Sequence, residues 1–350
     1  MNIAIFTHNY PKNKNDRKDA GIFVHDFAEK LKKKHKVFIF CPSYHNSKKF
    51  GNWSIYNPLS VLSFFKNISF GIDESLKFVK KNRIDYILCA WAIPSGIYAL
   101  AAKIKYGTRY GVWYLGSDLN IYSKFPILST IIYFLSKKAD NRFANSYALT
   151  RIAEAKYGKC VMLTASTKLD QSSVKKKISQ VKLDKNKVNI LYVGRLEKVK
   201  GPDLLVQASK KLDDKFVIRV IGDGTMREIL EKISSENAQF LGYLGLEEMT
   251  AYMRVSDFLI IPSRNESLPL VILEAANYKL PVLASDVGDC KYVLSKYKVG
   301  EVFRKDNIED MITKINKFDY KKFKTGGRFK DLVVDYNLDS SVNRFLKNII

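Results

Sequence analysis

Short apolar runs rich in β-branched and aromatic residues alternate along this chain with longer segments whose apolar side chains recur at helical spacing. Continuous apolar runs of this length suit strands buried on both faces, as in parallel sheets covered by crossover helices. The runs predict strands at 3–7, 37–41, 86–90, 110–115 and 141–145, and a second series at 188–193, 216–221, 239–241, 257–262 and 280–284. Between the two series the chain turns polar and Lys/Ser-rich without apolar periodicity, which suits a linker. The expected fold is α/β, with two Rossmann-like doubly wound domains facing a cleft. Its expected boundaries are a first domain at 1–168, a linker at 169–187, a second domain at 188–335, and a C-terminal helix at 336–350 packing back on the first.

Length and composition narrow the picture. Three hundred and fifty residues, 46% apolar and 27% charged, are those of a globular chain of about two domains rather than a disordered, collagenous or coiled-coil one. The charge changes the picture more: 59 Lys and Arg against 35 Asp and Glu leave +24. Residues 1–170 hold 27 of the basic and 11 of the acidic side chains, so most of the field lies in the first half. An anionic partner follows, whether a phosphorylated substrate, an acidic membrane surface or a nucleic acid. Cys41, Cys89, Cys160 and Cys290 stand far apart without metal-ligand spacing and read as buried thiols of a reducing compartment. The opening MNIAIFTHNYP lacks the pattern of a secretory signal, which makes a cytoplasmic location the expectation. The longest uncharged run, 86–102, is broken by Pro94 and Gly96 and reads as a buried strand followed by a helix.

Strand ends in such sheets open onto Gly-bearing loops that feed helix N-termini, where free backbone N–H groups favour anions. Three loops fit: VGRLEKVKG (193–201), IGDGTMRE (221–228) and PSRNESLP (262–269). Neither a G-x-G-x-x-G after a first strand nor a G-x-x-x-x-G-K-[ST] occurs, which argues against a dinucleotide oxidoreductase and a P-loop NTPase. Glu266 and Glu274 lie eight positions apart around Pro269, which suits a first helical turn. Carboxylates only accept hydrogen bonds, so a pair beside an anion-binding helix end suits the hydroxyls of a sugar and a ribose around a diphosphate. Arg195 and Lys200 follow Gly194 at a strand end, and a guanidinium fork with a flexible ammonium would neutralise that diphosphate as a leaving group. Each pair also has a plainer reading, as first-turn charge and basic surface.

Taken together these stretches resemble the retaining GT-B glycosyltransferases of family four, the group 1 glycosyltransferases. The resemblance runs through GRLEKVKGPDLLVQA, IGDGTMREILE, FLGYLGLEEMTAYMRVSDFLIIPS, NESLPLVILEA and LPVLASDVG, and towards the amino end through NYPKNKNDRKDAGIFVHDFAEKL, YLGSDLN and ADNRFANS. It covers nearly the whole chain, including the tail YNLDSSVNRFLKNI, and implies an acceptor-binding first domain and a donor-binding second one. It implies that Gly194, Arg195 and Lys200 hold the donor diphosphate. Glu274 would bind the nucleotide ribose, and Glu266 with the backbone of Ser267 and Leu268 would face the donor sugar. Gly21 would let backbone approach the phosphate, and Asp118 in GSDL would orient acceptor or sugar, its alternative being a helix N-cap with Ser117. Two positions depart from the family pattern: Leu115 and Ala90 stand where many relatives carry His, leaving His8 and His25 as the imidazoles nearest to substitutes.

The implied reaction transfers a glycosyl group from a nucleotide diphosphate sugar to an acceptor hydroxyl with retention and without a metal or other cofactor. In agreement, no D-x-D pair occurs to chelate a cation. The loops at 222–226 and 264–266 could accommodate several bases and sugars, so the donor's identity stays open. PILSTIIYFLSKKAD (126–140) and EKLKKKHK (29–36) combine an apolar block with dense lysine, so the first domain is expected to sit peripherally on an anionic cytoplasmic membrane face, with a lipid-linked or cell-envelope glycan as acceptor. The apolar block is equally readable as a core helix. Two other functions stay open, a nucleotide-sugar epimerase of similar build and a nucleic-acid-binding protein, although no recognisable nucleic-acid module interleaves the aromatics with the basic residues.

Overall fold

The computed structural model describes residues 1–11, 21–42, 59–164, 181, 183, 184 and 186–350. The expected linker lies largely outside them. Two compact units emerge: Met1–Thr167 together with Asn337–Ile350, and Lys168–Tyr336.

The first unit is built on a six-stranded, all-parallel sheet: β1 (Asn2–Phe6), β2 (Lys36–Phe40), β3 (Tyr86–Ala90), β4 (Arg109–Tyr114), β5 (Asn141–Ala144) and β6 (Val161–Met162), in the order β2-β1-β3-β4-β5-β6. β1, β3 and β4 are buried almost throughout, as their unbroken apolar sequences require. The run at 86–102 is β3 followed by the helix Ser95–Tyr106. The C-terminal helix Leu338–Ile349 closes this sheet. Phe345 packs against Phe27, Tyr86 and Phe143, and Ser341 exchanges hydrogen bonds with Thr164 in a buried contact. Asn141 links the two, accepting from Tyr86 and donating to the Asn348 carbonyl.

The second unit carries another six-stranded parallel sheet: β7 (Val188–Val193), β8 (Phe216–Ile221), β9 (Ala238–Gly242), β10 (Phe258–Ile261), β11 (Val282–Ser285) and β12 (Gly300–Phe303), in the order β12-β11-β10-β7-β8-β9. Its strand order reverses between β7 and β10, and such reversals open a crevice at the carboxyl ends of the strands. In the first sheet the corresponding switch lies between β1 and β3.

All four cysteines are free and buried, and burial pushes the Cys160 thiol up to about 12. Among the described residues no helix is long and apolar enough to cross a membrane. The helix Pro126–Lys138 is half of each thing its sequence allowed. Ile132 and Leu135 point into the core, whereas Ile127, in the first turn, is 75% exposed, and Phe134, beneath Lys138, is 52% exposed.

Candidate functional site

At the switch point of the second sheet, the loop after β7 and the loop after β10 touch backbone to backbone. Gly201, with φ +69°, sits where an added Cβ would lie 2.0 Å from the Pro262 carbonyl oxygen. Only glycine combines that dihedral with that approach. Farther back, Gly222 holds φ +140° with its Cβ position 1.9 Å from the Gly194 oxygen, so the loops after β7 and β8 are equally close. Gly194 itself donates to the Ile221 carbonyl at 3.0 Å.

This closeness brings Lys200 to Glu266. The ammonium donates to Glu266 Oε1 at 2.5 Å, with the two side chains 27% and 12% exposed. Ser263 Oγ donates to the same oxygen at 3.0 Å, and Ser285 Oγ in turn bonds the Ser263 carbonyl. Glu266 Oε1 is thus doubly satisfied, while Oε2 keeps its capacity to accept from a ligand. Gly288, whose Cβ would meet the Glu266 and Ser267 carbonyls at 2.3 and 2.4 Å, and the Asp289 N–H, which bonds the Ser267 carbonyl at 2.9 Å, hold the turn from behind. Leu268 is buried beneath it. Pro269 precedes the helix Leu270–Ala276 as its cap residue rather than occupying the first turn, and Glu274 is half-buried in that helix. Arg195 lies exposed at the start of its loop, and its guanidinium makes no ion pair among the described residues.

Arg264, which the sequence did not single out, fastens the two loops. Its guanidinium donates to both oxygens of Asp203 at 2.7 Å and to the Lys198 carbonyl at 2.6 Å, pairs with Asp306 at 2.7 Å, and its N–H meets the Val199 carbonyl at 2.8 Å. Burial alone would raise the Asp203 pKa, but the Arg264 hydrogen bonds and charge outweigh it and hold the carboxyl below its ordinary value. Opposite charges beside two strand-end loops, Asp203 just after VGRLEKVKG and Arg264 within PSRNESLP, were the available signal.

Gly21 and Asp118 belong to the first unit, where each contacts backbone. A Cβ at Gly21 would lie 2.5 Å from the Asn9 carbonyl oxygen, so glycine is required for the loop after β1 to pass the helix Ile22–Lys32. Asp118 is fully buried: Oδ1 accepts from the Ala92 N–H at 2.8 Å and Oδ2 from the Leu115 N–H at 3.3 Å. Burial raises its pKa to about 6, against the backbone hydrogen bonds. Enclosed in this way, the carboxylate ties the Ala92 and Leu115 backbone N–H groups together. His8 is half-buried and packs against Trp91 with centroids 4.5 Å apart and the rings tilted by 49°, and burial lowers its pKa to about 4. His25 lies beside Asp26 at 3.4 Å. Among the described residues no group of three or more His, Cys, Asp or Glu could hold a metal ion.

Residues 173–322 match the family described as glycosyl transferases group 1. A Klebsiella pneumoniae relative, an uncharacterized 41.2 kDa protein in the cps region, is 36% identical over 186 residues, so the match spans half of this chain and half of that relative. The uncharacterized glycosyltransferase MJ1178 of Methanocaldococcus jannaschii is 25% identical over 85% of this chain and 84% of its own. Among solved structures, sucrose-phosphate synthase from Thermosynechococcus elongatus superposes with a TM-score of 0.78 at 16% identity, covering 99% of this chain and 97% of that one. Anabaena Alr3699/HepE in complex with UDP-glucose gives 0.71 at 14% identity, covering 100% and 99%. The fold is that of the GT-B glycosyltransferases, two Rossmann-like domains.

Proposed function

Because residues 173–322 match the group 1 glycosyl transferases, we propose that the chain is a metal-independent, retaining glycosyltransferase that moves a sugar from a nucleotide diphosphate sugar to an acceptor hydroxyl. The observation that carries this reading is the Lys200–Glu266 pair, held by touching backbones at the switch point of a parallel sheet. An ammonium has three donors, so Lys200 can keep Glu266 and still meet a phosphate oxygen, with Arg195 adding a second positive charge. Glu266 Oε2 accepts from a hydroxyl of the donor sugar, and Glu274 from the ribose. As the anomeric C–O bond breaks, negative charge grows on the departing phosphate oxygen, where Lys200 and Arg195 stabilise it. The acceptor oxygen attacks the same face and passes its proton to that phosphate oxygen, which gives retention without a protein nucleophile. A trapped covalent glycosyl enzyme would overturn this step.

The relative in the cps region and the basic first unit support a lipid-linked or cell-envelope glycan as acceptor. Ile127 and Phe134, exposed on the helix that ends in Lys137 and Lys138, support peripheral seating on the inner, anionic face of the cytoplasmic membrane. Binding to anionic vesicles should fall as salt rises; partitioning indifferent to salt and lipid charge refutes the seating.

The donor reading is tested by thermal stabilisation with nucleoside diphosphates and their sugars, on the protein and on Arg195→Ala and Glu274→Ala. A shift with one base, lost in both variants, is expected. No shift with any nucleotide removes the donor site and returns attention to the basic first unit, where an RNA or DNA ligand is the alternative.

A further inference from the structure

At the switch point of the first sheet, the residue that opens the turn out of β3 is strained. Trp91 has φ +70°, a left-handed conformation that costs a bulky side chain on the order of 1–3 kcal/mol and persists only where the surroundings impose it. The surroundings do so from two directions. The Trp91 N–H is bonded to the Trp113 carbonyl at 3.1 Å, and the next N–H, that of Ala92, is bonded to the enclosed carboxylate of Asp118 at 2.8 Å. Asp118 Oδ2 also holds the Leu115 N–H, so one carboxylate spans the loops after β3 and β4. A fully buried acid is a costly tie for a turn. What the tie secures is the direction of one indole.

That indole lies against His8 from the loop after β1, with centroids 4.5 Å apart, and against Phe23 at 6.0 Å. All three residues are half-buried rather than part of the fully buried core. Trp113, by contrast, is fully buried beneath Phe23 and Phe27 and spends its indole N–H on the Leu163 carbonyl. His8 Nδ1 has no hydrogen-bond partner among the described residues. A rigid, half-exposed aromatic surface with an imidazole at its edge is matched to a ring having an apolar C–H face and a polar rim.

We propose that His8, Trp91 and Phe23 form a carbohydrate platform on the first unit that takes one pyranose ring of the acceptor, with Asp118 as the positioning residue that fixes Trp91. This rests on the glycosyltransferase reading for the word acceptor, whereas the platform itself rests on the first unit alone. The indole meets the C–H face of the sugar, and the ring hydroxyls are left at the rim. No proton transfer is assigned to His8, since burial keeps its imidazole neutral and weakly basic.

The test follows intrinsic tryptophan fluorescence of the full chain during titration with the methyl α- and β-pyranosides of glucose, galactose, mannose and N-acetylglucosamine. At least one should change the emission saturably, and Trp91→Leu should weaken its binding about tenfold or more. Asp118→Asn keeps the size but replaces the acceptor facing Leu115 N–H with a donor, and should weaken the same sugar. Thermal stabilisation by nucleoside diphosphate should be unchanged in both variants, a split that general loss of structure does not produce. If Trp91→Leu fails to fold, isothermal calorimetry with Trp91→Phe, which keeps a smaller ring, should show intermediate affinity. The platform is overturned if no pyranoside binds saturably, or if one binds equally well to the Trp91 variants. Sugar binding without any nucleotide response would instead refute the donor reading and leave the platform standing.

Discussion

Replacing Arg264 by leucine removes the fastening between the loops after β7 and β10 while keeping apolar bulk in place. Arg264 and Asp203 are 20% and 17% exposed, so their bidentate pair is only weakly screened, whereas Asp306 is 46% exposed. Breaking a fully buried ion pair costs about 3–5 kcal/mol and an exposed one about 0–1 kcal/mol. For this partly exposed arrangement roughly 3 kcal/mol is expected, most of it from leaving the Asp203 carboxylate without its partner. For a unit the size of Lys168–Tyr336, this corresponds to a melting temperature lower by roughly 6–12 °C. Scanning calorimetry with Asp203→Asn and the double variant gives the coupling directly. The sign with pH follows from the lowered Asp203 pKa. Its stabilisation is present above the ordinary carboxylate value and is lost as pH falls through the depressed one, so wild type and variant should converge in acid. Nucleoside diphosphate stabilisation should fall as well, because Lys200 and Glu266 lose their common frame. A coupling below about 0.5 kcal/mol would refute the fastening.

Glu266→Gln should leave nucleoside diphosphate binding largely intact, since Lys200 keeps its charge, yet reduce transfer roughly 100-fold; equal activity removes Glu266 from the chemistry. Asp118 and His8 should contribute opposite slopes to stability between about pH 4 and pH 6.5. The raised Asp118 pKa means that the folded state binds the extra proton, so its contribution declines as pH rises to about 6. The lowered His8 pKa makes the folded state resist a proton, so its contribution grows from about 4 upwards. Chemical denaturation across that range, with Asp118→Asn and His8→Gln each compared with wild type, should show the two slopes separately; parallel curves would contradict both. Gly201→Ala should destabilise by more than about 1 kcal/mol in urea titration, because the new methyl meets the Pro262 carbonyl; a neutral result would mean that the loops are not in contact.

The buried strands were legible because a parallel strand covered on both faces leaves an unbroken apolar run. Where that cover is incomplete the signal goes. β6 is two residues of partly covered edge, and β12, Gly300–Phe303, begins on glycine and carries Glu301, so neither announced itself. The second-unit site was legible in part. Glu266 and Lys200 are flagged by their positions after strands, but that they touch depends on Gly201 meeting Pro262, a contact across 61 positions that no local spacing encodes. Asp118 looked like a substrate ligand because a polar residue at a strand end normally faces the crevice. Its carboxylate is buried against the Leu115 N–H of its own loop and the Ala92 N–H of the loop after β3, a partner no local spacing encodes.

The return of Leu338–Ile349 to the first sheet has a consequence for the order in which the molecule is made. On the ribosome, residues 1–164 emerge first, yet the surface formed by Phe27, Tyr86 and Phe143 stays without Phe345 until the whole second unit has followed. The second unit, continuous in sequence, has all of its strands by Phe303 and can close early. The half made first is therefore the half finished last. Throughout synthesis its waiting aromatic face is the one most open to a chaperone or to a neighbouring chain.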